Sequence, residues 1–427
     1  MCMTMKALVY DIRPMGWLTC KWLRHLWRGC LLSGVNGLGV RDLPAPALPG
    51  RDWVRVRTLL GGICGTDLAL IAQKQAPDSI LQAFSSMPIM LGHENVAIVE
   101  ELGPDVEPHW LNRRVCVEPT LHCQARGVEP PCKPCSKGQF GACESFWGPP
   151  GKYGVPAGTS IGYNRLTGGS LGEHFVAHVS QLVPVPDGIT DEQAVLTDPL
   201  ACSLHSVLRA DLTDARRVLV YGAGMLGLGI VACLRATGYK GTIDVLVRSQ
   251  HSADLARKLG ADEALTLGKN QHERHLEIAQ RTDAKLHKVR FANIMLSGGY
   301  DVIFDCVGSP GSIDECLKWA GARGQIVLTG TAGRGNIDFT PLWFRELKII
   351  GAYGRQEELY DDRRLTTYSL VHELMLKNLI DAQCLLTHRF PLAQWKTALA
   401  TALYKRTHKA IKVAIDFRPD TPITPNL

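Results

Sequence analysis

The 427-residue sequence lacks any uninterrupted apolar run of bilayer-spanning length, so no membrane-spanning helix is expected. Its densest hydrophobic stretch, Trp17–Val35, carries Trp17, Leu18, Trp22, Leu23, Leu26, Trp27, Leu31 and Leu32, but Lys21, Arg24, His25 and Arg28 interrupt it. The apolar positions recur at three- and four-residue steps, which predicts an amphipathic helix packed on its own domain or a neighbouring subunit. Interfacial membrane contact through the tryptophans and basic residues is the alternative. A strong charge of either sign is also missing: 47 Lys and Arg against 41 Asp and Glu leave a formal +6. That mild bias suits an anionic cofactor, and no nucleic-acid partner is expected without a clustered basic face. Met1–Tyr10 lacks a basic start followed by a long apolar core, so a cytoplasmic location is expected. There is no internal repeat and no low-complexity tract.

What is present is ordinary globular composition, 45% hydrophobic and 21% charged, in a chain long enough for two domains. It is also rich in cysteine, with 14 residues, four of which (Cys123, Cys132, Cys135, Cys143) fall within 21 positions. Without a secretory route, clustered cysteines read as metal ligands before disulfides. The pattern Cys123-x8-Cys132-x2-Cys135-x7-Cys143 suits a closed tetrahedral zinc that staples a loop lacking its own core.

Residues 1–195 contain short β-type runs separated by Gly and Pro, among them Trp53–Arg57, Val96–Val99 and Arg114–Val117, which predicts a barrel-like β domain. Residues 196–351 change texture. Val218–Tyr221, Ile243–Val247, Val302–Cys306, Gln325–Thr329 and Leu347–Gly351 read as buried parallel strands, with helices such as Met225–Thr237 and Ser252–Leu259 between them. The alternation predicts an α/β domain with a doubly wound parallel sheet. Residues 352–427 are expected to return to the first domain.

Arg217–Tyr221 runs directly into Gly222-Ala223-Gly224-Met225-Leu226-Gly227 and an apolar helix. In that strand-to-helix setting the glycines read as a dinucleotide loop: Gly222 for the tight turn, Gly224 for approach to the pyrophosphate, and Gly227 for helix packing. The helix start, with Met225 and Leu226, offers unpaired N–H groups to phosphate. The second strand ends in Val247-Arg248-Ser249 with no acid for the ribose hydroxyl, and Asp244 lies near the strand's start. Arg248 and Ser249 suit a 2′-phosphate, so NADP is favoured over NAD.

A second constellation is Cys64-Gly65-Thr66-Asp67 with Gly92-His93-Glu94. Cys64 and His93 are good zinc ligands, and a catalytic zinc needs a third, for which Glu94 and Asp198 are the candidates. Asp67 is suited to accept the second ring N–H of His93.

Taken together, these segments resemble the zinc-containing medium-chain dehydrogenase/reductase superfamily over nearly the whole chain: Gly62–Asp67, Gly92–Glu94, the cysteine lobe, Asp198–Ala201, Gly222–Gly227, Leu259–Asp262 and Asp301–Gly308 come in its order. The Asp198-Pro199-Leu200 stretch resembles the polyol, sugar and threonine dehydrogenase branch. The resemblance implies a GroES-like β-barrel catalytic domain and a Rossmann domain. It also implies catalytic zinc on Cys64 and His93, with Glu94 or Asp198 completing or exchanging in the shell, Thr66 in a proton relay, and Lys412 at the cofactor pyrophosphate. The implied activity is hydride transfer between a secondary alcohol or polyol and NAD(P), on a small-molecule alcohol or carbonyl substrate, by a homodimer or homotetramer. A metal-free enone or quinone reductase and a non-catalytic scaffold are the rival readings.

Three departures stand out. Gln124–Pro131 widen the first cysteine spacing to eight residues where the family has two, which brings in His122 or Cys116 as substitutes for Cys123. Asp198 is one methylene shorter than the family's Glu. Gly16 to about Gly37 is an insertion, and Gly148–Gly169 form a long glycine-rich loop.

Overall fold

The computed structural model describes residues 3–74, 79–80, 85–288, 290 and 293–419. The chain forms two compact units, Met1–Asp198 with Gln383–Leu427, and Pro199–Ala382. In the first unit the strands are β1 (Thr4–Tyr10), β2 (Leu38–Pro44), β3 (Trp53–Gly62), β4 (Ile89–Met90), β5 (Glu94–Leu102), β6 (Arg114–Val117), β7 (His174–His178) and β8 (Leu182–Pro184). The second unit holds β9 (Arg217–Tyr221), β10 (Thr242–Leu246), β11 (Glu263–Leu265), β12 (Lys285–Lys288), β13 (Ile294–Ser297), β14 (Tyr300–Asp305), β15 (Ala320–Leu328), β16 (Lys348–Gly351), β17 (Glu357–Tyr360) and β18 (Arg363–Thr366). β19 (Leu386–Pro391) and β20 (Lys412–Asp416) return to the first.

In the first unit a sheet of order β19-β20-β3-β5-β6-β8, with β7 also on β3, accompanies a smaller β2-β1-β4 sheet. Along β3 the alternation is legible in the side chains. Trp53, Val56, Thr58 and Leu60 are buried, while Arg55 and Arg57 turn outward to Glu101 and Glu100 on β5. Trp53 and Val56 pack with Val99, Val115 and Phe175 in one core cluster.

The second unit is a parallel sheet of order β11-β10-β9-β14-β15-β16. Its central strands are largely apolar, with Val218, Leu219, Val220, Ile303 and Phe304 fully buried, as expected where both sheet faces are covered. The strand order reverses between β9 and β14, the switch point at which such sheets bind ligands. Beside it Asp305 accepts from the backbone N–H of Val307 at 2.9 Å and of Gly308 at 3.0 Å, fixing the turn after β14.

Two expectations differ from the structure. The Trp17–Val35 segment is not one helix: an α-helix covers Pro14–Leu23 and a 3-10 turn covers Arg28–Leu32. A single helix would separate Gly16 from Val35 by about 28 Å. Instead a Cβ on Gly16 would lie 1.9 Å from the Val35 carbonyl oxygen, so the segment folds back on itself there. Its inner side forms a small core of Cys20, Cys30 and Leu31 against Ala72. The chain also rejoins the first unit at Gln383 rather than near 352. Residues 352–382 are tied to the second unit by Glu358, which bonds His205 Nδ1 at 2.7 Å and accepts from Thr367 Oγ1 at 3.1 Å.

Asp244 is buried in the middle of β10 and is fully engaged, by the Arg281 guanidinium at 2.7 and 2.9 Å and by the Tyr300 hydroxyl at 2.8 Å. It is therefore a structural acid. Asp244→Ala is expected to lower stability by about 2–4 kcal/mol, because it strands a guanidinium and a buried hydroxyl. Denaturant unfolding measures this, and an unchanged midpoint would count against the structural role.

Candidate active site

Cys64 follows β3 and is the N-cap of the short Gly65–Ile71 helix, with its backbone extended (φ −83°, ψ 155°). Its N–H donates to Asp67 Oδ2 at 2.9 Å, and its thiol donates to Thr66 Oγ1 at 3.6 Å. His93 and Glu94 stand at the start of β5, where Glu94 pairs with Gly62 across the sheet. A Cβ on Gly62 would meet Glu94 Oε2 at 2.2 Å, so only glycine leaves room for that carboxylate.

These placements put ligand atoms of Cys64, His93 and Glu94 within 4.8 Å of one another. His93 is buried and its Nδ1 has no hydrogen-bond partner, a costly arrangement without a ligand and the observation that best fits a metal here. Burial opposes the charged imidazole, but Cys64, then Asp67 and Asp198, outweigh it and lift His93 to about 10. A cation held among these groups would use the same field.

The acids divide differently from the expectation. Asp67 Oδ1 is 4.0 Å from His93 Nδ1, too long for a hydrogen bond, and instead accepts from the Tyr163 hydroxyl at 2.8 Å. Tyr163 comes from the long glycine-rich loop, and its ring also lies 5.6 Å from the His93 ring. Nothing in the sequence marked it except that loop's length. Asp198, buried in the first turn of Thr197–Arg209, acts on His93 through charge but lies outside the compact ligand set.

Lys412, expected at a pyrophosphate, is buried with its ammonium 2.6 Å from both Glu94 oxygens and 3.3 Å from the Ile63 carbonyl. Burial works against its charge, yet Glu94 and Cys64 raise its pKa above the ordinary lysine value. Its position on β20, which pairs with β3 near Gly62, commits it to the carboxylate.

The cysteine lobe closes as the thiol pattern requires. Cys123, Cys132, Cys135 and Cys143 offer sulfurs all within 4.8 Å of one another. Cys143 Sγ lies 3.7 Å from Cys123 Sγ and 3.9 Å from Cys132 Sγ. Four sulfurs bound tetrahedrally at about 2.3 Å would sit about 3.8 Å apart, so the set fits zinc. Backbone N–H groups of Cys132, Glu144 and Ser145 already point at these sulfurs at 3.3–3.4 Å, and the neighbouring Cys135 thiol holds Cys143 below the usual thiol range.

The substitutes for Cys123 are excluded by position. His122 stacks on Phe140, and burial depresses its pKa to about 3. The Cys116 thiol donates to the Ala194 carbonyl at 3.3 Å. The enlarged spacing forms a helical turn, Cys123–Arg126, capped by left-handed Gly127 (φ 63°). Arg126 is fully buried there and clamps the carbonyls of Ser145, Gly148, Pro149 and Val155.

In the second unit β9 leads through Gly222 (φ +110°) into the Met225–Ala236 helix, whose N-terminus carries no side-chain cap. A Cβ on Gly227 would be 1.8 Å from the Gly222 carbonyl oxygen, whereas one on Gly224 would meet nothing within 4 Å. Gly227 is therefore glycine for packing, and Gly224 leaves open space at the helix start, as a bound pyrophosphate requires. Met225 and Leu226 fill the first turn. Beyond β10, Arg248 is exposed, while the Ser249 hydroxyl caps the Gln250–Lys258 helix by accepting from Ser252 N–H at 3.2 Å.

Comparison with known proteins agrees with both units. Residues 50–187 match the alcohol dehydrogenase GroES-like domain, and residues 226–367 match the zinc-binding dehydrogenase domain. The chain is 29% identical to L-idonate 5-dehydrogenase of Vitis vinifera over 385 residues, covering 90% of this chain and 92% of that one. It is 28% identical to sorbitol dehydrogenase of Arabidopsis thaliana, covering 90% and 93%. Among solved structures it shares its fold with an Escherichia coli CFT073 alcohol dehydrogenase complexed with NADH (TM-score 0.72, 22% identity, 97% and 99% covered). It also shares it with a Sinorhizobium meliloti 1021 zinc-binding dehydrogenase bound to NADP (TM-score 0.69, 21% identity, 97% and 99% covered). The GroES-like and Rossmann folds expected from the sequence are thus both present.

Replacing Cys132 and Cys135 together by Ser is expected to remove about one zinc per chain and destabilise the lobe by several kcal/mol. Metal analysis and proteolysis within residues 123–155 check this, and an unchanged zinc content would rule the site out.

Proposed function

Because the chain belongs to the zinc-type medium-chain dehydrogenase/reductase family, we propose that it is a zinc-dependent oxidoreductase transferring hydride between a secondary-alcohol or polyol CH–OH group and NAD(P). The observation that carries the reading is the compact set of half-buried Cys64, buried His93 with its unpartnered Nδ1, and buried Glu94, in one chain with the open Gly222–Gly227 loop. When bound, zinc supplies a Lewis acid for the substrate oxygen and the nicotinamide accepts hydride.

The chain's own residues do the rest. Cys64, His93 and Glu94 would hold the metal, and Lys412 fixes the Glu94 carboxylate in place. Asp198 adds negative charge from just outside that set. Thr66 Oγ1, on the second residue of the Gly65–Ile71 helix, receives the substrate's hydroxyl proton and passes it on, a role supported by its 3.6 Å contact with Cys64 Sγ. Asp67 and Tyr163 fix the wall beside His93. The substrates named for the relatives support this substrate class, and the reading includes a homodimer or homotetramer, as the resemblance implies, in the cytoplasm, as the pattern of Met1–Tyr10 leads one to expect. A metal-free reductase would have no use for four thiols at tetrahedral spacing.

For the cofactor, we favour NADP. No acid follows β10, and Arg248 is exposed where a 2′-phosphate would need a cation. Ser249 is already spent as a helix cap, so the preference rests on Arg248.

Two outcomes test the reading. The Cys64→Ala, His93→Ala double variant should lose about one zinc per chain and roughly 10³-fold or more in kcat/KM for alcohol oxidation. Full activity in that variant would refute it. Arg248→Ala should raise KM for NADP about tenfold and leave KM for NAD nearly unchanged. Equal effects on both cofactors would remove the NADP assignment.

A further inference from the structure

The inserted segment has two sides, and the catalytic reading uses neither. Its inner side is fixed to the first unit. Cys20 packs with Cys30, Leu31 and Ala72, Gln73 Nε2 donates to the Trp17 carbonyl at 2.9 Å, and the Arg24 guanidinium donates to the Ala72 carbonyl at 2.9 Å. Its outer side carries Met15, Leu18, Trp22 and Leu26 at helical three- and four-residue steps, with Trp27 beside them. These side chains are 76%, 55%, 74%, 81% and 55% exposed respectively, which leaves a stripe of five large apolar side chains uncovered.

The charge around the stripe identifies what would cover it. Between Ile12 and Arg41 there is no Asp or Glu, while Arg13, Lys21 and His25 lie there in addition to Arg24, whose guanidinium is spent on the inner side. The preceding acid, Asp11, is taken by Arg41 at 3.2 Å. Arg13 and His25 are exposed, and the Lys21 ammonium sits 4.7 Å from the Trp17 ring centre. A second copy of the chain would bring the same acid-free basic face against this one, with like charges opposed. An anionic lipid surface offers the complement to both features, headgroup charge for the cations and an acyl boundary for Trp, Leu and Met. The Pro14–Leu23 helix, about 15 Å long, suits lying in the plane of such a surface, since its other side is already packed.

We propose that the Gly16–Gly37 insertion, with the adjoining Met15, is a peripheral docking element that seats the protein on anionic lipid surfaces through Met15, Leu18, Trp22, Leu26 and Trp27. The full-length protein is floated with vesicles of phosphatidylcholine alone and of phosphatidylcholine mixed with phosphatidylserine. It should co-float with the anionic vesicles, less so as salt rises. Trp22→Asp with Leu26→Asp should lower the partition about tenfold or more, with oligomeric state and circular dichroism unchanged. Both side chains are exposed, and Trp22→Phe, which keeps the apolar ring, should retain most of the binding. Absence of binding to anionic vesicles by the parent protein, or undiminished binding by the double variant, would overturn the proposal. Dissociation of an oligomer by the double variant, with no vesicle binding by the parent, would assign the face to a second copy and overturn it as well.

Discussion

Gly62 faces Glu94 across the β3–β5 pairing, and the arrangement of the candidate metal ligands depends on that register. Cys64 lies two residues beyond Gly62 along the chain, and His93 lies one residue before Glu94. Antiparallel pairing therefore brings together ligands some thirty positions apart in the chain. A side chain on Gly62 would collide with the Glu94 carboxylate, so the glycine is what lets an acid occupy the sheet interior.

That buried acid in turn dictates its neighbours. Lys412 from β20 pairs with it, its ammonium 2.6 Å from both Glu94 oxygens, so neither buried charge stands alone. The pair fixes the carboxylate in position more than it adds stability, since two desolvated ions offset much of their own attraction. Around it Asp67 and Asp198 add negative charge, and His93 is left with an unpartnered ring nitrogen. The result is a site in which a cation satisfies several buried groups at once.

The two enlargements relative to the family are managed by different means. Gln124–Pro131 do not move Cys123 away from its partners, because a helical turn and the buried Arg126 clamp take up the extra length. The Gly16–Gly37 insertion relies on packing instead. It folds back at Gly16 and borrows Ala72 and Gln73 from the first unit to cover its inner side.

Much of this was legible in the residues. The parallel strands announced themselves as apolar runs because both faces are covered, and the Gly222–Gly227 loop because strand, glycines and helix are consecutive in the chain. The thiol lobe was legible for the same reason, since its four ligands are near neighbours in sequence. Periodicity also placed apolar residues correctly on the insertion but not its break, since a hydrophobic stripe does not record where a chain folds back. What the tertiary structure alone decided were contacts between distant segments: Lys412 on Glu94, Tyr163 rather than His93 on Asp67, and Glu358 holding residues 352–382 to the second unit. Local sequence sets which groups need a partner. Only the packed sheets set which partner arrives, because buried charges and hydroxyls take the nearest complement in space, whatever its distance along the chain.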